Sequence, residues 1–531
     1  MKVLSEESIL KLFIRQASEE EVKTEDQLHR MKKRFSREHG FQLPSNFKLQ
    51  VAYKALIDEG WEGDEALQRL VRKRKVRTLS GVSVITVLTK PYPCPGECVF
   101  CPTEPGMPKS YLSNEPGAMR AVLDDFHPRD QVSTRINSLT RQGHETEKIE
   151  MIVLGGTFSS YNRRYQTDFV RALYNACNKE QGSSLEKAQI INEKSKHKVI
   201  GLSLETRPDH VTEDEIRHMR KLGCTKVQIG VQHTDNAVLE LNKRGEVIED
   251  TVKAMKLLKD AGIKVATHLM PNLPGSTPEM DLAMVKEFFE NPAFKPDHLK
   301  IYPCVVTPFA ELEQWWKEGR YKAYSDEVLM DLLIEMQRYL PEYVRVERLF
   351  RDIPGESILE GSQMTNMRQI IEKKMNKKGI ICSCIRCNEI KGESYDANKT
   401  KLKVLEYEAS DGREFFISFN DSERGKLCSL LRLRFPSMLL EGKKHFIPEL
   451  TGASIVREVH TYGVQVKTGK RDGNASQHAG LGRRMLEEAE QITKEAGYSK
   501  IAVIAGVGTR NYYRKWGYEL EGTYMTKRLQ L

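Results

Sequence analysis

The 531-residue sequence lacks long hydrophobic runs and is poor in aromatic residues, which make up 8% of it. No stretch approaches the roughly 18 consecutive apolar residues of a membrane span, and the opening MKVLSEESIL has no apolar signal-peptide core. Internal repeats and low-complexity tracts are also missing, while 39% hydrophobic residues can supply several cores. We therefore expect a cytoplasmic protein of several domains without membrane contact.

Cysteine is scarce, and most of it is clustered. Ten cysteines are too few for a secreted disulfide scaffold of this length. Six of them fall in two short clusters, which in a reducing compartment indicates metal binding. Cys177, Cys224 and Cys428 stand singly in apolar patterns, so we expect them in the core.

Neither sign of charge dominates, since 83 Lys and Arg face 74 Asp and Glu for a net charge of +9. This mild excess is compatible with a nucleic-acid partner without requiring one. Two basic clusters, KKRFSR and VRKRKVR, stand in the first 80 residues, and they are either solvated helical faces or a phosphate-binding surface. The candidate phosphate contacts are Lys32, Lys33, Arg34, Arg72, Lys73, Arg74, Lys75 and Arg77.

The pattern along the chain predicts an α/β protein of four parts. Residues 1–80 read as a basic helical region. Residues 81–350 carry six runs rich in Val and Ile, separated by helical stretches, which predicts a partial (β/α)6 barrel of buried parallel strands. Residues 351–398 read as a linker, and residues 399–531 as a mixed α/β domain with a hairpin at SDG. In such barrels, chemistry gathers at the carboxyl ends of the strands.

The stretch TKPYPCPGECVFCP places Cys94, Cys98 and Cys101 on one tight loop after the first predicted strand. Iron-sulfur clusters usually take four thiolates, so three would hold a four-iron four-sulfur (4Fe-4S) cluster and leave one iron open. A zinc loop or a chance spacing is the alternative.

This loop on a strand-helix barrel resembles the radical S-adenosylmethionine (SAM) superfamily over about residues 80–350. The resemblance implies a 4Fe-4S cluster whose open iron binds the amino and carboxylate groups of SAM. Gly155, Gly156 and Thr157 are similar to the segment that backs the methionine end. Glu205 and Gln232 either contact SAM or only cap strand ends.

A second motif, QHAGLGRRML, opens a helix with glycines. Its residues are Gln477, Gly480, Leu481, Gly482 and Arg483, and such a helix start presents backbone N–H groups to a pyrophosphate. With the strand SIVREVHTYG before it and KIAVIAGVGTRNYY after it, the motif resembles the GNAT acetyltransferases and implies acetyl-CoA.

A radical SAM barrel combined with a GNAT domain in one chain indicates a family more specifically than either motif alone. The segments SGVSVITVLTKPYPCP, GGTF, SLETRPD, REVHTYG, GVGTRNYY and GYELEGTYM resemble the catalytic-subunit family of Elongator, the tRNA uridine acetyltransferases. The short spacing between Cys94 and Cys98 departs from the eukaryotic members and suggests a bacterial or archaeal form, for which accessory subunits are not expected. An electron donor is implied, and homodimerisation stays open.

The resemblance implies modification of the wobble uridine of tRNA. The 5'-deoxyadenosyl radical from SAM would remove hydrogen from the acetyl methyl of acetyl-CoA, the carbon would add to C5 of the base, and thioester hydrolysis would leave 5-carboxymethyluridine. By resemblance, Lys148 touches acetyl-CoA from the barrel side. The other implied contacts are Glu458, Val459, His460, Thr461 and Tyr513. His460, Tyr512 and Tyr513 are the candidates for catalysis at the thioester.

The second cysteine cluster, CSCIRC, offers Cys382, Cys384 and Cys387. A closed zinc site needs a fourth ligand, for which we expect Cys304 at the end of the sixth predicted strand. Reduced free thiols are the alternative.

Two other functions fit parts of the sequence. One is a protein lysine acetyltransferase with a non-catalytic barrel, and the other is a non-enzymatic tRNA-binding assembly platform. The three loop cysteines speak against the first, since a non-catalytic barrel would not need them, and the assembly platform stays open.

Overall fold

The computed structural model describes residues 5–71, 81–364, 366–391, 393, 395–463 and 480–530. Six of the candidate residues lie outside this range: Arg72, Lys73, Arg74, Lys75, Arg77 and Gln477.

The amino-terminal region is helical, as its sequence pattern predicts. Its helices are α1 (Glu6–Glu19), α2 (Glu25–Glu38), α3 (Asn46–Asp58) and α4 (Glu65–Val71). The first three start at the hydroxyl caps Ser5, Thr24 and Ser45, which accept backbone N–H groups that helical bonds leave free. A separate small core, in which Phe13 meets Phe35 edge-on, holds the helices together.

A parallel sheet of seven strands follows. The strands are β1 (Val82–Leu88), β2 (Lys148–Leu154), β3 (Lys198–Thr206), β4 (Lys226–Gln232), β5 (Lys264–Leu269), β6 (His298–Ile301) and β7 (Arg345–Arg348), and they pair in sequence order. Parallel pairing in sequence order, with crossovers of one hand, curves a sheet into an open barrel with helices outside. The α/β barrel prediction is therefore confirmed. The sequence pattern missed β7 because Val346 is its single apolar residue.

The helices around and after this sheet follow the chain order of the strands. They are α5 (Pro116–Leu123), α6 (Pro128–Arg141), α7 (Arg163–Cys177), α8 (Leu185–Asn192), α9 (Glu213–Leu222), α10 (Asn236–Leu241), α11 (Ile248–Asp260), α12 (Pro278–Glu290), α13 (Glu311–Lys317), α14 (Asp326–Arg338), α15 (Met367–Lys377) and α16 (Ile385–Asn388). The last two lie in the predicted linker.

The carboxyl-terminal region forms a second, mixed sheet. Its strands are β8 (Thr400–Ala409), β9 (Gly412–Asp421), β10 (Leu427–Phe435), β11 (Ala453–Thr461), β12 (Lys500–Val503), β13 (Glu519–Glu521) and β14 (Tyr524–Arg528), and its helices are α17 (Ser437–Leu440), α18 (Leu481–Glu495) and α19 (Arg510–Arg514). The SDG hairpin is present, with positive φ at Ser410 and Asp411 as a tight hairpin turn requires. Strand β11 pairs in parallel with β12 only over Ala453–Val456, so the two strands separate beyond Val456.

The second sheet packs against the amino ends of the barrel strands. Asp297, just before β6, accepts hydrogen bonds from Arg457 of β11 at 2.5 and 2.9 Å, and both side chains are fully buried. Arg434 of β10 makes a similar buried pair with Asp260 of the barrel. The second sheet and the cysteine loop therefore lie at opposite ends of one barrel.

Among the described residues, no helix combines the length and the apolar character needed to cross a membrane.

Candidate active site

The cysteine loop follows β1 at the carboxyl end of the barrel, as predicted. Cys98 is buried, and its sulfur accepts a hydrogen bond from Arg244 Nη1 at 3.2 Å. A hydrogen bond with Cys101, opposed by burial and supported by the charge of Arg244, lowers the pKa of Cys98 to about 5. The loop therefore favours a thiolate, which is the metal-binding form of cysteine.

The surroundings of the loop suit an anionic metal cluster. Arg207 Nη1 is buried without a hydrogen-bond partner in the described part of the chain, and a Cβ at Gly96 would collide with it. Cys94 lies against Thr157, with Sγ 3.5 Å from Oγ1. The three loop sulfurs do not all lie within 4.8 Å of one another, which leaves room between them. Arg207 also pairs with Asp209 and Glu246, and Arg244 pairs with Glu246, so the open donor here is Arg207 Nη1, which a cluster of thiolates and sulfides would satisfy.

The GGT segment ends β2 beside this loop. Gly155 has φ of +136°, and a Cβ there would overlap the Thr89 hydroxyl, so only glycine fits. Gly156 also has positive φ, and Thr157 is buried. The backbone therefore approaches the cysteine loop closely, as the motif predicts.

Glu205 and Gln232 lie at the carboxyl ends of β3 and β4. Tyr111 donates a hydrogen bond of 2.9 Å to Glu205 Oε2, and burial raises the pKa of Glu205. Gln232 has φ of +70°, and its Oε1 is buried without a partner among the described residues. Backbone strain and an unsatisfied amide at one residue are typical of a ligand site.

The concave face of the barrel carries charged residues that sequence reasoning missed. Lys226 of β4 contacts Glu150 of β2 at 2.6 Å and Glu347 of β7 at 3.1 Å. Strands β2 and β7 are not neighbours in the sheet, so these contacts cross the barrel interior. Barrel interiors are usually filled by branched apolar side chains. The side chains of Glu150 and Glu347 remain 26% and 18% accessible, so this interior is not sealed.

The polar contacts continue toward the cysteine loop. Lys300 donates to Gln228 Oε1, which also lies 3.3 Å from His268 Nε2. His268 Nδ1 lies 3.9 Å from Glu205 Oε1. One sequence pattern could have predicted this polar interior. In KVQIGVQ, Lys226 and Gln228 alternate with valine and isoleucine, and alternate side chains of a strand point to the same face of the sheet.

At the opposite end of the barrel, Lys264 of β5 reaches Glu458 of β11 at 3.1 Å. Arg432 donates to the other oxygen of Glu458 at 2.9 Å. Burial would raise the pKa of Glu458, but Lys264 and Arg432 outweigh it and hold that pKa well below its usual range. The side chain of Glu458 thus joins the two sheets, and only its backbone is left for a ligand. Lys148 begins β2 at this same end, where burial lowers its pKa.

His460 occupies the part of β11 that has separated from β12. Its Nε2 is buried and unpartnered within the described chain, and burial lowers its pKa to about 4. Its ring lies 4.4 Å from that of Tyr462. The neutral imidazole and the free backbone edge, which includes Val459 and Thr461, border the gap between the strands.

Helix α18 starts next to this gap at Gly480, which has φ of +74° and no side chain to cap the helix. Within the described residues, the backbone N–H groups of Leu481 and Gly482 have no partner inside the helix and can face a ligand. A Cβ at Gly482 would lie 2.9 Å from the Tyr512 hydroxyl, so this tyrosine closes over the helix start. Arg483 pairs with Glu487 at 2.6 Å. Tyr513 is buried edge-on against Tyr512.

The linker cysteines converge, but without their expected fourth partner. The ligand atoms of Cys382, Cys384 and Cys387 all lie within 4.8 Å of one another. Cys304 does not join them, because it is buried in the cluster that contains Cys98. The prediction of Cys304 as a ligand was wrong: its place after β6 directs it to the cysteine-loop end, whereas Ile385 of the CSCIRC segment bonds Val344, just before β7.

The residues of the first basic cluster, KKRFSR, have different environments on helix α2. Lys32 is only 8% exposed and bonds Asn46 at 2.5 Å, so its prediction as a phosphate contact was wrong. Arg34 is exposed but paired with Glu20. Lys33 is exposed and shares a shallow pocket with Arg30 and Arg37, one helical turn away on each side. Arg37 closes the predicted KKRFSR cluster but was not among the candidate contacts, and Arg30 lies outside that cluster, because sequence reasoning weighed consecutive charges rather than helical spacing.

Two family models match the barrel part of the chain. The Radical SAM superfamily model matches residues 92–288, and the Radical_SAM C-terminal domain model matches residues 296–377.

Curated relatives match over most of the chain. The tRNA uridine(34) acetyltransferase of Methanocaldococcus jannaschii is 45% identical over 484 residues, which cover 88% of each chain. The Elongator complex protein 3 of Saccharomyces cerevisiae is 38% identical and covers 86% of this chain and 85% of its own. Among solved structures, the archaeal Elp3 of Methanocaldococcus infernus with an N-terminal deletion superposes with a TM-score of 0.74 at 41% identity, covering 85% of this chain and all of that one.

Proposed function

The chain belongs to the family of tRNA uridine(34) acetyltransferases and Elongator Elp3 proteins, and on that premise we propose that it forms 5-carboxymethyluridine at the wobble position of tRNA. Acetyl-CoA would supply the carboxymethyl carbons, and SAM would be consumed. The observation that carries the proposal is the shared barrel. Its carboxyl end bears the cysteine loop, while its amino end faces the strand gap and glycine start of α18.

At the carboxyl end, Cys94, Cys98 and Cys101 would hold the 4Fe-4S cluster, with Arg207 and Arg244 balancing its charge. Glu205 and Gln232 would contact SAM, together with the GGT backbone. When bound, the 4Fe-4S cluster and SAM together supply one-electron chemistry that can remove hydrogen from an unactivated methyl group.

At the amino end, the first turn of α18 would bind the pyrophosphate of acetyl-CoA, with Tyr512 alongside. The acetyl thioester would lie along β11 beside His460. Because its imidazole is neutral and its Nε2 has no partner in the described chain, His460 is the residue proposed to take a proton from the hydrolytic water.

Nucleoside analysis tests the proposal. The protein is incubated anaerobically with tRNA, SAM, reductant and acetyl-CoA carrying a trideuterated methyl group, and the digested tRNA is examined by mass spectrometry. We expect 5-carboxymethyluridine whose side-chain methylene keeps two deuterons, because one is removed from the methyl group by the 5'-deoxyadenosyl radical before the carbon bonds C5. The third should appear in 5'-deoxyadenosine. Acetylated protein lysines with unmodified tRNA would instead favour a protein acetyltransferase, and binding without any turnover would favour an assembly platform.

The linker cysteines are proposed to hold zinc, with the fourth ligand position left open to a group other than Cys304. Replacing Cys384 with serine is expected to remove close to one zinc per chain, because two thiolates and a hydroxyl bind zinc far more weakly than three thiolates. Metal analysis by mass spectrometry measures this loss. Cys428→Ser, which changes a cysteine outside the cluster, should retain the zinc, and equal zinc content in both variants would contradict the site.

The exposed face of α2 is proposed to bind tRNA phosphates. Replacing Arg30, Lys33 and Arg37 with glutamine should lower the slope of log Kd against log salt by about 0.7–0.9 for each phosphate that the protein no longer neutralises. Titration of tRNA binding over a salt series measures the slope. Lys48→Gln is the matched control, because Lys48 already pairs with Glu6 on the neighbouring helix. A slope unchanged by the triple replacement would make this an ordinary solvated face.

A further inference from the structure

Three tyrosine rings form a continuous stack beside the cysteine loop. The ring of Tyr92 stacks on Tyr161, with centroids 4.4 Å apart, and Tyr161 stacks on Tyr165 at 4.8 Å. The planes are inclined by 27° and 19°, so the rings lie face to face rather than edge-on. Most aromatic pairs elsewhere in the described chain are tilted or edge-on, so face-to-face stacking of this kind is uncommon in the described structure.

The inner two rings are fixed by hydrogen bonds to the end of β1. The Tyr161 hydroxyl donates to the Lys90 carbonyl oxygen at 2.7 Å and lies 2.8 Å from the Thr89 hydroxyl. Lys90 N donates to the Tyr165 hydroxyl at 3.2 Å. Tyr161 is buried, so the stack is a rigid base rather than a set of surface side chains.

Tyr92 is the outer member of the stack and is 38% exposed. Since Tyr161 covers one face of the Tyr92 ring, the accessible area lies on the opposite face and the ring edge. An exposed ring forgoes hydrophobic burial that this position could otherwise gain. The fold thus presents a flat aromatic surface, held rigidly from behind.

The position and charge of this surface indicate its ligand. Tyr92 lies two residues before Cys94, which itself contacts Thr157 of the GGT segment. Lys90 Nζ lies 5.1 Å from the centroid of Tyr165, the ring at the far end of the stack from Tyr92, and Arg164, the neighbour of Tyr165 on α7, is almost fully exposed and pairs with Asp168 at 3.8 Å. Aromatic faces accompanied by Lys and Arg at the rim of a site are how proteins hold the unstacked bases of single-stranded RNA.

We propose that the outer face of Tyr92 is a stacking platform for a nucleobase of the anticodon loop, with Lys90, two residues before Tyr92, as the nearby cation for the RNA backbone. This inference rests on the proposed tRNA substrate and adds to it the residue that holds the splayed loop at the cysteine-loop end. The base itself is not specified by hydrogen bonds, because every nucleobase offers a π face to the ring.

A synthetic anticodon stem-loop with 2-aminopurine in the loop tests the platform. Wild-type protein should quench the 2-aminopurine fluorescence, because stacking on an aromatic ring does so. Tyr92→Phe and Tyr92→Trp keep a flat ring and should quench equally, whereas Tyr92→Leu should bind the stem-loop about 5- to 100-fold more weakly without quenching.

Tyr339→Leu is the matched control. Tyr339 is the residue that directly follows the outer helix α14, is 37% exposed and has Lys286 over its ring, so it resembles Tyr92 in exposure and, like the stack, has a lysine neighbour. The control should bind and quench like wild type.

The outcomes separate this inference from the function on which it rests. If wild-type protein modifies uridine but does not quench the probe, the platform is wrong, whatever the variants do. It is equally wrong if Tyr92→Leu binds as tightly as Tyr339→Leu. If wild-type protein binds no tRNA and forms no modified uridine, the proposed function fails and the platform with it.

Discussion

Replacing Cys98 with alanine is expected to remove the iron from the protein and to reduce uridine modification below detection. Cys98 is the central thiol of the loop, and the hydrogen bonds with Cys101 and Arg244 both favour its thiolate. Two remaining thiolates hold an iron-sulfur cluster poorly, since such clusters normally take three or four. Iron analysis and the absorption shoulder near ~400 nm of anaerobically purified protein measure the loss.

Cys177→Ala is the matched control for this variant, because Cys177 is an equally buried cysteine on helix α7 away from the loop. It should retain iron and activity. The second sheet should stay folded in Cys98→Ala, since the loop lies outside its core. Full iron content in Cys98→Ala would overturn the assignment of the loop.

Replacing Asp297 with asparagine should destabilise the protein by about 3–5 kcal/mol, because it removes one negative charge from a buried network in which Glu414 and Glu458 are the other partners of Arg457 and Arg432. Asp297 accepts two hydrogen bonds from Arg457, and Arg432 Nη1 lies 3.6 Å away. All three side chains lie between the barrel and the second sheet. The shift of the urea unfolding midpoint measures the loss.

The difference in stability between wild type and Asp297→Asn should decrease as the pH falls. Burial opposes ionisation of Asp297, but Arg457 and Lys259 outweigh it and hold its pKa well below its usual range. A carboxyl with a lowered folded pKa stabilises the fold above its unfolded pKa of about 4, and loses that contribution as the pH falls toward the folded value. The difference between wild type and Asp297→Asn should therefore be constant from about pH 5 to 8 and shrink below about pH 4.

Glu313→Gln controls for the loss of a charge as such. Glu313 pairs with Lys317 at 2.7 Å on the outer helix α13, where the lysine is half exposed. Surface pairs of this kind contribute little, so no measurable shift is expected. A shift for Asp297→Asn no larger than that of Glu313→Gln would mean that the buried network does not hold the two sheets together.

Local features were predictable because their causes lie within a few residues. The spacing of Cys94, Cys98 and Cys101 sets how many thiolates one loop can offer, whatever surrounds it. Gly155 is required by its own backbone angle and the nearby Thr89. The strand runs predicted six of the seven barrel strands, and they failed at β7, where Val346 is the only apolar residue among three charged ones.

Longer-range features were not predictable from pattern. Lys32 looked like part of a basic cluster, yet helix packing turns it inward onto Asn46. Cys304 looked like a zinc ligand, yet its strand carries it to the cysteine-loop end. The contact of Lys226 with Glu150 and Glu347 joins residues from three strands, and no local spacing encodes it.

By itself, the sequence determined which chemistry the chain carries: a three-thiolate loop, a glycine-opened helix start, and the α/β strands that bear them. These depend on residue type, short spacing and backbone angles, which neighbouring residues impose. Only the tertiary structure decided how the cysteine-loop end of the barrel is joined to the end that carries the second sheet. The curved sheet brings Lys226, Glu150 and Glu347 together inside the barrel, and Lys264 to Glu458 across the sheets. Those pairings depend on burial and distance between residues far apart in the chain, which are set when the core packs.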